Sequence, residues 1–272
     1  MKIKGGGAIV ASVLVLAGPA LSADLYPKAS PAPTTYDWSG VYVGGHAGGG
    51  RQTTAITDPD LFSNLINCCV LLGVVGNPTG ISDSTGSGFL GGVQAGWMYQ
   101  IGRLVVGADV DWSGTDLKGT GVSTVPGGSS ESYSVRANWT TTATATVGLT
   151  RDRWMLYSKA GVAAANEKYG LSISGVGGFG PGPFAFSSTA TDTATGWTVG
   201  TGVKYAFSDN WIVNVEYDFL DFDSQTHSIS GAFTAAPAGI GLAATFNPDF
   251  RQYISEVKIG LSYKFAPGFL FW

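Results

Sequence analysis

Residues 211–220 read WIVNVEYDFL, and every second side chain is large and apolar. Trp211, Val213, Val215, Tyr217 and Phe219 alternate with Asn214, Glu216 and Asp218. Successive side chains on a strand point to opposite faces, so the run predicts a strand with one greasy face and one charged face. The same period recurs. In FLGGVQAGWMYQ, Phe89, Val93, Ala95, Trp97 and Tyr99 oppose Gly92, Gln94, Gly96 and Met98. In LVVGADVDWS, Leu104, Val106, Ala108, Val110 and Trp112 oppose Gly107, Asp109 and Asp111. In GWTVGTGVKYAF, Trp197, Val199, Val203, Tyr205 and Phe207 oppose Gly200, Gly202 and Lys204. In SEVKIGLSYKF, Val257, Ile259, Leu261, Tyr263 and Phe265 oppose Glu256, Lys258, Gly260 and Lys264.

Three more segments carry a weaker version. VRANWTTTATATVGLT sets Ala137, Trp139, Ala143, Ala145, Val147 and Leu149 against Arg136, Asn138 and a ladder of threonines. WMLYSKAGVA sets Trp154, Leu156, Ala160 and Val162 against Tyr157, Lys159 and Gly161. In DWSGVYVGGHAGGG (residues 37–50), Val41, Val43 and Ala47 oppose Tyr42, Gly44 and His46. That makes eight candidate strands, and no segment has a long helical period.

An alternating strand suits a soluble sandwich with its apolar faces inward, or a membrane barrel with its apolar faces outward. Three features favour the barrel. The chain opens as a secretory leader: Lys2 and Lys4, the apolar run Ala8–Ala20, then small residues at Ala20–Ala23. That run is short of the roughly 20 residues a spanning helix needs. The connections alternate between tight turns (IGR, RDR, SDN) and long Gly/Ser/Thr-rich links such as 51–87 and 226–251, as in outer-membrane barrels. Finally, Trp97, Tyr99, Trp154, Tyr205, Phe207 and Trp211 sit at strand ends beside those turns, as an interfacial belt requires.

The expected fold is all-β: a transmembrane antiparallel up-and-down barrel of eight strands, with short periplasmic turns and long extracellular loops. A hairpin hidden in the links LSISGVGGFGPGPFAFSSTA and THSISGAFTAAPAGIGLAATF would make it ten. Residues 1–23 read as signal peptide, 24–36 as a proline-rich extended lead, 37–265 as the barrel and 266–272 as an aromatic tail. The expected location is the outer membrane, with its lipid as partner.

Other function classes find little support. The formal net charge is −4 and no basic run is present, which argues against a nucleic-acid partner. The opening glycines are not a phosphate loop: Thr53 stands where the third glycine of G-x-G-x-x-G belongs, and no amphipathic helix follows. No hydrolase or zinc-protease motif occurs, so neither catalytic residues nor a cofactor is expected. His46 and His227 lie on separate segments with no ligand spacing to the cysteines, so no metal is expected. Asp109, Asp111, Glu216, Asp218 and Glu256 are expected to share one narrow lumen with Arg136, Lys159, Lys204, Lys258 and Lys264. Paired carboxylates can do acid–base work. Opposite charges packed inside a small barrel more simply pair, because unpaired buried charge is costly.

The segment 61–75, LFSNLINCCVLLGVV, is apolar for a loop. It could cap the barrel mouth or form a surface patch for a partner or lipid. Within it, the adjacent Cys68 and Cys69 could form a vicinal disulfide or cross-link to another chain.

The chain resembles the small outer-membrane immunogenic proteins, or opacity-like porin-family barrels, of alpha-proteobacteria. The resemblance rests on ADL after the leader, YDWSGVYVGGHAGG, GFLGGVQAGWMYQ, DRWMLYSKAGVA, GWTVGTGVKYAFSDNWIVNVEYDFLDF and VKIGLSYKF, in that order. It implies an eight-stranded outer-membrane barrel with a role in envelope integrity and loops open to surface or host partners. It also implies recognition by the barrel-assembly machinery through terminal aromatics, either Leu261, Tyr263 and Phe265 within the last strand or Phe269, Phe271 and Trp272 of the tail. The chain departs from the family at the threonine-alanine run Thr140–Thr146, where members carry arginines, at the appended APGFLFW, and at the apolar loop. Two functions follow: a plugged scaffold that supports the envelope and displays its loops, or a porin-like path for small solutes. Eight strands leave an interior just wide enough for side chains to fill, which favours the scaffold.

Overall fold

The computed structural model describes residues 36–57, 84–125, 129–176, 183–226, 229–235, 240–246 and 249–265. The leader, most of the proline-rich lead, the Cys68–Cys69 pair, the apolar loop segment and the aromatic tail lie outside these residues.

Among the described residues, ten strands run in chain order: β1 Gly40–Thr57, β2 Ser84–Ile101, β3 Leu104–Val125, β4 Ser129–Arg151, β5 Trp154–Val176, β6 Pro183–Ala206, β7 Trp211–Thr226, β8 Ile229–Ala235, β9 Ile240–Phe246 and β10 Asp249–Lys264. Eight of them close a ring. Strands β1 to β7 pair antiparallel in sequence order, β7 pairs with β10, and β10 returns to β1, with Val43 opposite Tyr263. A closed ring leaves no sheet edge exposed to lipid. The second long link does contain a hairpin, β8–β9, but it extends the sheet from the far end of β6, through Phe184 opposite Ala235, and does not enter the ring.

Strands β2–β3 and β4–β5 are joined by two-residue turns. These demand left-handed backbone, met by Gly102 (φ 64°) and by Asp152 (φ 54°), a residue type that tolerates that region. At the other end the strands overshoot. A membrane strand needs about 9–11 residues, yet β3 to β6 run 22–24 residues. Their outer halves therefore stand clear of the lipid.

The outward faces carry the apolar side chains: Val93, Val110, Val147, Leu156, Val162, Val199, Val215 and Ile259 are all exposed. Aromatics bound this band at both ends. On the turn side, Trp97 stacks on Tyr99 with centroids 6.1 Å apart, and Trp154 packs on Tyr205 at 4.4 Å. Phe207 and Trp211 are exposed at the same level, and Leu261 and Tyr263 lie there near the end of the last strand, with Phe265 just beyond it. Toward the loops a second belt contains Phe89, Trp112, Trp197, Phe219 and Tyr253, with Trp197 and Phe219 at 5.8 Å. Eight to ten residues of tilted strand separate the belts, roughly the 25 Å height of a barrel's apolar band.

One expected interior charge is on the outside. Arg136 faces outward, its side chain half exposed and paired to Asp116 at 2.7 Å. The cause is a bulge: register shifts between Gly114 and Leu117 on β3 and between Ala137 and Trp139 on β4. Beyond it the face parity of β4 reverses, so Tyr133, Val135 and Ala137 point inward while Thr140 to Thr146 keep the even positions inward.

Candidate functional site

The interior of the ring is filled in three layers. The first closes the turn-side mouth. Residues 36–39 precede β1 and fold back into the opening; Trp38 is fully buried among Tyr42, Met98, Val105, Met155 and Ile212. Tyr36 meets Trp38 edge to face with centroids 4.9 Å apart, and its hydroxyl donates to the Asp209 carbonyl at 3.2 Å. The Trp38 backbone N–H donates to Gln100 Oε1 at 2.8 Å. Lys264 lies 4.3 Å from the Tyr36 ring centroid and contacts the Asp37 carbonyl, and the Arg153 guanidinium lies 5.7 Å from the same centroid. Burial pushes the Tyr36 phenol up to about 12, Arg153 opposing and Asp209 and Asp37 adding to it. Tyr36, counted with the extended lead on sequence grounds, is thus part of the barrel.

The second layer is the charge cluster at mid-barrel. Lys258 Nζ lies 2.7 Å from Asp218 Oδ2, 3.3 Å from Glu216 Oε1, 3.4 Å from Asp111 Oδ1 and 3.7 Å from Glu256 Oε2. Lys159 Nζ reaches Asp218 at 3.0 Å, Glu216 at 3.1 Å and Asp111 at 3.8 Å. Lys204 Nζ is 3.7 Å from Asp109 and 3.0 Å from the Tyr42 hydroxyl. Every carboxylate of the group therefore has an ammonium within 4 Å. The charges come from β3, β5, β6, β7 and β10, so alternation on five strands delivers them to one level. Gly200 makes the room: a Cβ there would collide with Asp218 Oδ1 and come within 2.9 Å of Lys159 Cε.

Neutral donors complete the cluster. Thr142 Oγ1 donates to Asp111 Oδ2 at 2.6 Å, Thr146 contacts Asp109, and Tyr157 Oη donates to Glu216 Oε2 at 2.6 Å. Gln94 Nε2 bridges Asn214 Oδ1 (3.1 Å) and Ser262 Oγ (2.8 Å), and His46 Nε2 meets Ser113 Oγ at 2.7 Å. The threonine run of β4 thus hydrogen-bonds the interior acids. Among these groups remains a void of about 10 Å³, near the minimum for one water molecule.

The third layer, toward the loops, is apolar: Leu117, Ala137, Ala163, Ala165, Ala194, Leu220, Phe222 and Ile254 are buried together. Above it Tyr169 packs on Phe250 with centroids 4.6 Å apart and contacts the buried Glu167 carboxylate.

Of the residues expected in the lumen, Asp109, Asp111, Lys159, Lys204, Glu216, Asp218, Glu256 and Lys258 come together. Lys264 sits apart at the turn-side mouth and Arg136 is outside. Sequence reasoning missed the Tyr36–Trp38 plug, which has no periodic signal, and the loop-side aromatic belt, whose members look like ordinary strand residues until the strand ends are known.

The family described as an outer membrane protein beta-barrel domain matches residues 8–265. The chain is 28% identical over 268 residues to the 31 kDa outer-membrane immunogenic protein of Brucella melitensis biotype 1, covering 94% of this chain and 98% of that one. It is 28% identical over 156 residues to the 22 kDa outer membrane protein of Rhizobium leguminosarum bv. viciae, covering 56% and 62%. Among solved structures it is similar to OprG of Pseudomonas aeruginosa at 12% identity and a TM-score of 0.43, covering 85% and 98%.

Proposed function

The chain belongs to the outer membrane protein beta-barrel family, and from that premise we propose that its barrel is a closed scaffold rather than a pore. In this reading the barrel supports the bacterial envelope, and its loop-side surface meets the surroundings. The observation that carries it is the filled lumen: an aromatic plug, a charge layer with an interior void of about 10 Å³, and an apolar layer in series. Even a small hydrated sugar exceeds the volume of one water. Relatives named as outer-membrane immunogenic proteins support the second half, since immune recognition of a barrel in an intact cell falls on its loops. The five carboxylates of the charge layer have structural roles in this reading, because each has a lysine ammonium within 4 Å.

The test is a deletion strain complemented with the wild-type gene. Restored resistance to detergent, with unchanged uptake of small neutral solutes, is the expected result. Restored solute uptake without a change in detergent resistance would replace the scaffold with a transport function.

A further inference from the structure

Three basic side chains stand side by side on the outer face, just beyond the loop-side aromatic belt. Lys118 on β3 is directly opposite Arg136 on β4, and Arg136 is directly opposite Lys168 on β5. All three are exposed. Directly opposed residues on neighbouring strands have Cβ atoms about 5 Å apart, and like charges in that position destabilise a sheet. Asp116 relieves only Arg136, at 2.7 Å. Among the described residues, neither lysine has an ion-pair partner. Three cations within about 10 Å, offset by one carboxylate, are an arrangement that calls for an anion.

The height of the row identifies the anion's source. Arg136 lies three residues beyond Trp139, the last aromatic on the lipid face of β4, about 8 Å along a strand tilted some 40°. The polar headgroup layer is about 5–8 Å deep on each side of the hydrocarbon. The residues flanking the row agree with a watery level: Asn138 donates to Asn166 Oδ1 at 2.9 Å, and Thr120 and Ser134 are directly opposed on the next step up. The bulge that turns Arg136 outward is what completes the row.

We propose that Lys118, Arg136 and Lys168 bind the phosphate of an anionic lipid headgroup in the leaflet on the loop side. The bound lipid cancels the repulsion within the row and anchors that wall of the barrel at a set depth.

The test measures urea unfolding and lipid retention in phosphatidylcholine vesicles with and without phosphatidic acid. Wild type is expected to gain resistance with phosphatidic acid and to retain that lipid at least tenfold better than Lys118→Gln/Arg136→Gln/Lys168→Gln. In phosphatidylcholine alone the triple variant should equal or exceed wild type, since its like charges are gone. Arg151→Gln, which removes an exposed cation at the turn-side end of β4, should keep the full gain. If the triple variant folds poorly, as judged by heat-modifiable gel mobility, Lys118→Gln/Lys168→Gln serves with the Arg136–Asp116 pair intact. An undiminished gain in either variant overturns the proposal. An equal gain with oleate overturns the phosphate specificity, and an equal gain with inorganic phosphate in detergent overturns the lipid as its source.

Discussion

Lys258 Nζ lies 2.7 Å from Asp218 Oδ2 in the middle of the barrel, with both side chains sealed from solvent. This is the shortest of the lysine–carboxylate contacts in the charge layer. Among the described residues, Lys258 is the one cation within 4 Å of four carboxylates. Lys258→Met is therefore expected to destabilise by about 3–5 kcal/mol, because it leaves buried anions uncompensated. In a urea titration, Lys258→Met/Asp218→Asn should lose less than the sum of the two single variants.

The plug depends on Trp38. Removing a fully buried indole leaves a cavity that neighbouring side chains fill only in part, and Trp38→Ala is expected to cost about 3–5 kcal/mol. Tryptophan emission followed through unfolding would check this. A loss below about 1 kcal/mol would mean that residues 36–39 are not held in the mouth.

The same mouth predicts a pH dependence. The Tyr36 phenol titrates near 12 in the folded chain, against 10.0 for the free group. Between these values the unfolded chain has lost this proton while the folded chain retains it. The stability contributed by Tyr36 is thus complete below pH 10 and falls as pH rises toward 12. Tyr36→Phe should be less sensitive over that window than wild type. Comparing the two isolates Tyr36 from the nearby Asp37, Arg153, Asp209 and Lys264.

The limits of the lipid band can be located on β5. Ala160 lies on its outward face between Leu156 and Val162, whereas Asn166 lies on the same face directly opposite Trp139, at the loop-side end of the band. Ala160→Arg is expected to cost about 2–4 kcal/mol and Asn166→Arg about 0–1 kcal/mol in lipid vesicles. Equal penalties would misplace the band.

Much of this barrel was legible because alternation carries two kinds of information at once. Val213, Val215 and Tyr217 mark the lipid face, and the same period commits Asn214, Glu216 and Asp218 to the interior. Arg136 escaped that logic because a bulge inserts one residue without leaving a mark: Arg136 and Asn138 continue the polar alternation of the threonines across it. The outer halves of β3 to β6 read as loops because their inward apolar runs are short, Tyr133, Val135 and Ala137 on β4 and Tyr169 and Leu171 on β5, and are set among Gly, Ser and Thr. Tyr36 and Trp38 were hidden for a different reason. A plug is a tertiary contact with side chains from the far side of the ring, such as Met155 and Ile212, and nothing local announces it.

The closed lumen is tested most directly by single-channel recording of leader-free chain refolded into a planar bilayer, with folding established by heat-modifiable gel mobility. Three layers of packed side chains predict a silent membrane at all moderate voltages. Stable, reproducible conductance steps of porin size from the folded protein would contradict a filled interior and make solute passage the function.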